Sequence, residues 1–239
     1  MRRAFKAPRL IGLFTLALGL TVFSAAMAQA EPGAYWEVGG TKLISPVTLL
    51  PEIQAKKDTV HINFLTKSGF NTVEILCTEI KIISGLLHVL GRLTGKIHLE
   101  GCITKKNGVE DAACKPKTPG TNLGLIQTEK LEGLLKLHTL SPTVKDDVLQ
   151  LLPENAKGIY LPLELGATCS FGNKIDVTGT LFLKDGQNRL LSEDLQHLFE
   201  EFAPLTKLLF GANPMTMDGS FWAFLEGEHF LKFWKGNPA

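Results

Sequence analysis

The stretch KIDVTGTLFLKD, Lys174–Asp185, sets Ile175, Val177, Leu181 and Leu183 at every second position, with Gly179 completing the series. An apolar period of two fits a strand that buries one face; a helix would repeat at three and four. The same period recurs outward from it. Val60 to Phe64 alternates, and Val73, Ile75 and Cys77 share one face of a strand with Leu76, Thr78, Ile80 and Ile82 on the other. Ile97 and Leu99 alternate, as do Leu135 and Leu137, and Ile159, Leu161, Leu163 and Leu165. Tyr35–Val38 and Thr41–Ile44 flank Gly39-Gly40, a two-residue hairpin signal that sets Glu37 opposite Lys42. Gly, Pro, Asn and Asp punctuate these runs at short intervals. The reading is a mainly β chain of antiparallel sheets, sandwich or barrel-like, with one or two short helices.

Two stretches compete for the helical part. Ser192 is a good N-cap for EDLQHLFEEF, where Leu195, Leu198, Phe199 and Phe202 fall at i, i+3, i+4 and i+7, and Pro204 ends the run. Ser141 and Pro142 can also open a helix, but a strand pair of Val148–Leu152 against Gly158–Leu165 is the preferred reading there. Thr94–Leu99 echoes Thr178–Leu183, six residues each downstream of a strand-associated cysteine.

The N-terminus decides the compartment. MRRAFKAPR carries four cations and no acid, an apolar run follows from Leu10 to Phe23, and Ala28-Gln29-Ala30 offers a cleavage site. That order is a secretory signal peptide over residues 1–30, with a twin-arginine route as the weaker version because no Ser or Thr precedes Arg2-Arg3. The run of 14 apolar residues is shorter than the ~20 that a spanning helix needs. Residues 31–239 then form a single disulfide-stapled, β-rich domain, secreted or periplasmic. Four of the 25 Lys+Arg lie in the leader, so the remainder carries 21 against 24 acids, a net charge of −3. With Arg92 and Arg189 its only arginines, it has no basic face for nucleic acid. No transmembrane helix is expected after the leader.

In an oxidising compartment four cysteines point to disulfides, and four allow three connectivities. Cys102 and Cys114 stand too far apart for a CxxC redox pair and lack a second pair for zinc. A hairpin with a three-residue loop, Asn107-Gly108-Val109, sets Lys106 against Glu110, Lys105 against Asp111 and Cys102 against Cys114. This register predicts Cys102–Cys114 and leaves Cys77–Cys169.

No catalytic, cofactor or metal residue is assigned. His197–Glu201 falls short of an inverted zinc-protease motif, which needs a histidine where Glu201 stands. Glu226, Glu228 and His229 are accounted for by a turn after Leu225. Gly91–Lys96 imitates a phosphate loop one residue short and without the following Ser or Thr. Asp146-Asp147 and Glu200-Glu201 are adjacent pairs, read as solvated charge.

Several short motifs carry a family likeness. They are Trp36–Gly40 with Lys42-Leu43, Gly95 followed by Glu100-Gly101-Cys102, and Cys169 before Val177-Thr178-Gly179. The ending Leu209–Pro214 with Asp218-Gly219-Ser220 joins them. Together they resemble a group of exported, β-rich bacterial proteins with no assigned activity. The resemblance implies an exported β architecture with a cysteine pair near the first sheet, and it supplies no substrate or active site.

The stretch FWAFLEGEHFLKFW, Phe221–Trp234, is nearly half aromatic. As a hairpin turning at Glu226-Gly227-Glu228 it is either core, covered by the helix at Ser192–Phe202, or a surface where Trp222, Phe224, Phe230 and Trp234 grip a ligand. Three function classes follow: an exported non-enzymatic structural or surface-interaction protein, a carrier for an apolar or glycan ligand, and a hydrolase with dispersed active residues. The first leads, with a cell-surface, glycan or apolar partner.

Overall fold

The computed structural model describes residues 33–50, 54–55, 62–141, 144–185, 197–230 and 232–238. The leader, the Ser192 cap and Pro142 lie outside the described residues. Strand accounts for 60% of the structure and helical turns for 4%, so the chain is mainly β with antiparallel sheets.

The first half of the chain holds β1 (Tyr35–Val38), β2 (Thr41–Lys42), β3 (Val47–Thr48), β4 (Gln54–Ala55), β5 (Ile62–Ser68) and β6 (Asn71–Cys77). Next come β7 (Glu79–His88), β8 (Arg92–Glu100), β9 (Ile103–Lys106), β10 (Val109–Glu110) and β11 (Ile126–Gln127). The second half holds β12 (Leu131–Ser141), β13 (Val144–Pro153), β14 (Ile159–Glu164), β15 (Lys174–Asp185) and β16 (His197–Glu201). It ends with β17 (Lys207–Phe210), β18 (Asn213–Asp218), β19 (Ser220–Ala223) and β20 (Trp234–Asn237). Two single 3₁₀ turns, Ala112–Cys114 and Gly227–His229, are the helical content among the described residues.

The strands close into a barrel. Around its ring β3 pairs with β7, β7 with β8, β8 with β12, and β12 with β13. The ring continues through β15, β16 and β19 and returns to β4, just beyond β3 in the chain. A second sheet runs β10, β9, β6, β5, β18, β17, β15, β14. Strand β15 belongs to both. Its first half, through Thr180, lies between β14 and β17, and its second half, from Leu181, lies between β13 and β16. Just before the changeover stands Gly179, whose φ of +104° only glycine adopts readily and where a Cβ would collide with the Lys207 carbonyl oxygen.

One two-stranded ribbon also crosses between the sheets. Strands β6 and β7 run against β9 and β8 in a constant register, from Val73 opposite Lys106 to Ile83 opposite Lys96. Cys77 faces Cys102 in the middle of this ribbon and is bonded to it, with Cα atoms 4.0 Å apart. Beside the bond Glu79 and Glu100, like charges directly opposed, share Lys81, whose Nζ lies 3.7 Å and 2.7 Å from them.

The second disulfide joins Cys114 to Cys169, so the expected pairing Cys102–Cys114 and Cys77–Cys169 is corrected. Its premise fails at the turn. Asn107 and Gly108 both have positive φ, 53° and 81°, and form a two-residue loop that sets Lys106 opposite Val109 and Lys105 opposite Glu110. Asp111 then caps the 3₁₀ turn, its carboxylate accepting from the Ala113 N–H, and the chain leaves β9 before Cys114 can face Cys102.

Three further expectations change. The C-terminal part of the expected helix at Ser192–Phe202 is strand β16, hydrogen-bonded on both sides to β15 and β19. Completing the ring overrides a helical pattern there. Strands β13 and β14 both form, but each pairs with β15 rather than with the other. The aromatic stretch is not a hairpin: β19 pairs with β16 and β4, while β20 pairs with β1. At the N-terminus β1 and β2 form the Gly39-Gly40 hairpin with Glu37 opposite Lys42. The two echoed segments lie on β8 and β15.

Candidate functional site

The barrel interior is the natural place for a ligand in this architecture. It is filled. Ile82 from β7, Leu93 and Ile97 from β8, Leu131 from β12, Leu149 and Leu151 from β13, Leu183 from β15 and Phe221 from β19 converge on an apolar cavity of about 30 Å³. Sites for small-molecule ligands run to roughly 300–1,000 Å³, an order of magnitude larger.

A separate three-stranded sheet, β2-β1-β20, meets the ring at Arg92, Leu135 and Ala223. Trp36 and Trp234 meet edge to face with ring centroids 5.5 Å apart, and both are buried. The Trp36 indole N–H donates to the Arg92 carbonyl at 2.7 Å, and that of Trp234 to the Ala223 carbonyl at 3.2 Å. Gly236 lies so close to Leu135 that a side chain there would displace it. Each indole therefore fixes a strand of the small sheet to a strand end of the ring.

This location divides the four aromatic residues proposed as a ligand surface. Trp234 is core. Phe224 and Phe230 stack on each other at 6.3 Å with planes 29° apart, and Phe230 is 45% exposed. The side chain of Trp222 lies outside the described residues; its backbone pairs with Leu198 and Gln54. Two of the four thus form a partly exposed pair.

The polar candidates separate in the same way. Glu226 precedes the 3₁₀ turn Gly227–His229, where His229 Nε2 lies 3.5 Å from the Glu228 carboxylate. Among the described residues no three His, Cys, Asp or Glu side chains come together as metal ligands. Gly91 and Arg92 make the β7–β8 turn and the start of β8, with the Arg92 guanidinium ion-paired to Glu132. All four cysteines are in disulfides.

Two groups that sequence reading passed over emerge instead. Tyr160 is 1% exposed with its hydroxyl unpartnered among the described residues, and burial pushes the phenol far up. Glu201, read as half of a solvated acidic pair, is only partly exposed. Its Oε2 accepts the Met217 N–H at 2.8 Å, while Oε1 is buried without a hydrogen-bond partner among the described residues. Burial raises its pKa, Asp218 adds to the rise, and the bonds from Met217 and Thr206 oppose it. The Glu201–Met217 bond ties β16 of the ring to β18 of the second sheet, which makes this carboxyl a junction group.

No family model, curated protein or solved structure matches the chain.

Proposed function

We propose that this is an exported, non-enzymatic protein with a structural or surface-interaction role outside the cytoplasm. The observation that supports it is the packing of aliphatic side chains from the ring strands, which among the described residues surround a cavity of about 30 Å³, too small for a carrier's cargo. Two disulfides suit an oxidising compartment. The N-terminal segment, with its cations, apolar run and Ala-Gln-Ala, fits delivery there.

Expression of the full chain in a bacterial host, followed by fractionation and native mass spectrometry, tests this reading. Protein recovered outside the cytoplasm should begin at Glu31, contain both disulfides and carry no bound small molecule. A stoichiometric apolar ligand surviving gentle extraction would favour the carrier reading instead. Recovery in the cytoplasm with four free thiols would remove the export reading.

A further inference from the structure

We propose that Asn107 is a site of spontaneous deamidation, held back in the folded protein by its bonds to Asn71 and Thr72. Asn107-Gly108 is the single Asn-Gly pair of the sequence. It forms the β9–β10 tip, where both residues are exposed and have positive φ. Glycine leaves the amide nitrogen that follows Asn107 uncrowded. A Cβ added at Gly108 would meet nothing within 4 Å, and the Gly108 N–H makes no hydrogen bond among the described residues. An attacking nitrogen, a side-chain amide and solvent therefore meet at one turn.

The chemistry balances with water as the sole co-reactant. The Gly108 nitrogen attacks Cγ of Asn107, so a bond forms between them and the Cγ–Nδ2 bond breaks. Ammonia leaves, carrying the proton lost by the Gly108 amide. Water then opens the cyclic imide at either carbonyl, giving aspartate or isoaspartate. Isoaspartate routes the main chain through the former side chain and lengthens the turn by a carbon. Lys106 and Val109, which face each other across a two-residue loop, then lose that register.

The folded tip opposes the first step. Asn107 Oδ1 accepts the Thr72 N–H at 2.9 Å, and Nδ2 donates to Asn71 Oδ1 at 3.0 Å. The main-chain N–H of Asn107 donates to the Thr72 carbonyl at 2.9 Å, just beyond Val73 with Lys106, the end of the β6–β9 ladder. Both polar atoms of the side-chain amide are thus tied to β6, and Cγ can swing onto the Gly108 nitrogen only after both bonds open. Asn71 is the partner rather than the site, because the branched side chain of Thr72 crowds the nitrogen that would attack it.

Peptide mass spectrometry of the full chain tests this, with disulfides intact, in mildly alkaline buffer with and without denaturant. The folded parent should convert Asn107 about tenfold more slowly than the denatured parent, the effect of two modest hydrogen bonds. Asn71→Ala removes the acceptor of Nδ2 and should raise the folded rate about fivefold while leaving the denatured rate unchanged. Asn71→Asp keeps an acceptor there and should convert as the parent does. Near-ultraviolet circular dichroism establishes that each variant is folded; should Asn71→Ala not fold, the two parent rates and Asn71→Asp decide. Conversion of the folded parent as fast as the denatured chain would overturn the inference. So would a folded Asn71→Ala rate equal to the parent's, an Asn71→Asp rate well above it, or no conversion of Asn107 in denaturant.

Discussion

Cys77 stands opposite Cys102 in the same unbroken register that pairs Val73 with Lys106 and Ile80 with Leu99. The disulfide therefore joins residues that the backbone already holds together. Cys114–Cys169 instead fastens the end of a 3₁₀ turn to the link between β14 and β15, at a sequence separation of 55.

Peptide mapping without reduction should recover Cys77 linked to Cys102 and Cys114 linked to Cys169. Replacing Cys77 and Cys102 together by Ala should cost about 3.5 kcal/mol, and replacing the other pair about 4 kcal/mol, from the loops they close in the unfolded chain. Measurement of denaturation midpoints checks the order. A Cys102–Cys114 peptide would contradict this connectivity.

Trp234→Ala should destabilise the protein by about 3–5 kcal/mol, because it opens a cavity against Trp36 and removes the bond to the Ala223 carbonyl. Trp36→Phe should cost less, since a ring remains and only the donor to the Arg92 carbonyl is lost. Chemical denaturation of both variants provides the comparison; a Trp234→Ala protein as stable as the parent would move this residue out of the core.

Glu201 sets a pH dependence of definite sign. Its folded pKa is raised, chiefly by burial, so the ionised form is the one that folding penalises. Below the ordinary carboxylate range the group is protonated in both states and the penalty is absent. Stability attributable to Glu201 then falls as pH climbs from that range through the raised folded value, and levels off above it. Glu201→Gln should remove this fall, so its stability relative to the parent should be higher near neutrality than in acid. Unfolding free energies measured across that interval test the prediction, and a variant that tracks the parent at every pH would refute it.

The strands were legible because half-buried sheets write their alternation into the sequence, as Ile175 to Leu183 and Val73 to Cys77 show. Lateral order was not legible. A strand has two edges, and nothing in Val148–Leu152 or Gly158–Leu165 states that β15 lies between them. The disulfides were misassigned by a one-residue error in turn length, because Asn107 takes the left-handed conformation that the three-residue loop reserved for Gly108. A better signal was present in the ribbon: the register pairing Ile80 with Leu99, extended downward, brings Cys77 to Cys102. Glu201 was hidden because the stretch His197–Glu201 fits a helical stripe as well as a strand, and exposure cannot be assigned until that choice is made. The aromatic stretch was read correctly only in part, since Trp234 joins the core through a sheet built with the chain's beginning.

Because β15 runs through both sheets, and the disulfide-bonded ribbon crosses between them a second time, neither sheet is complete without a strand that also serves the other. Opening the ring at β13 or β16 loosens a strand on which β14 and β17 depend. The molecule should therefore lose its structure in one cooperative step, with amides of both sheets exchanging at a common, slow rate under native conditions. Such indivisibility leaves proteases no partly unfolded half to attack, an asset in the oxidising, extracellular environment that two disulfides suggest.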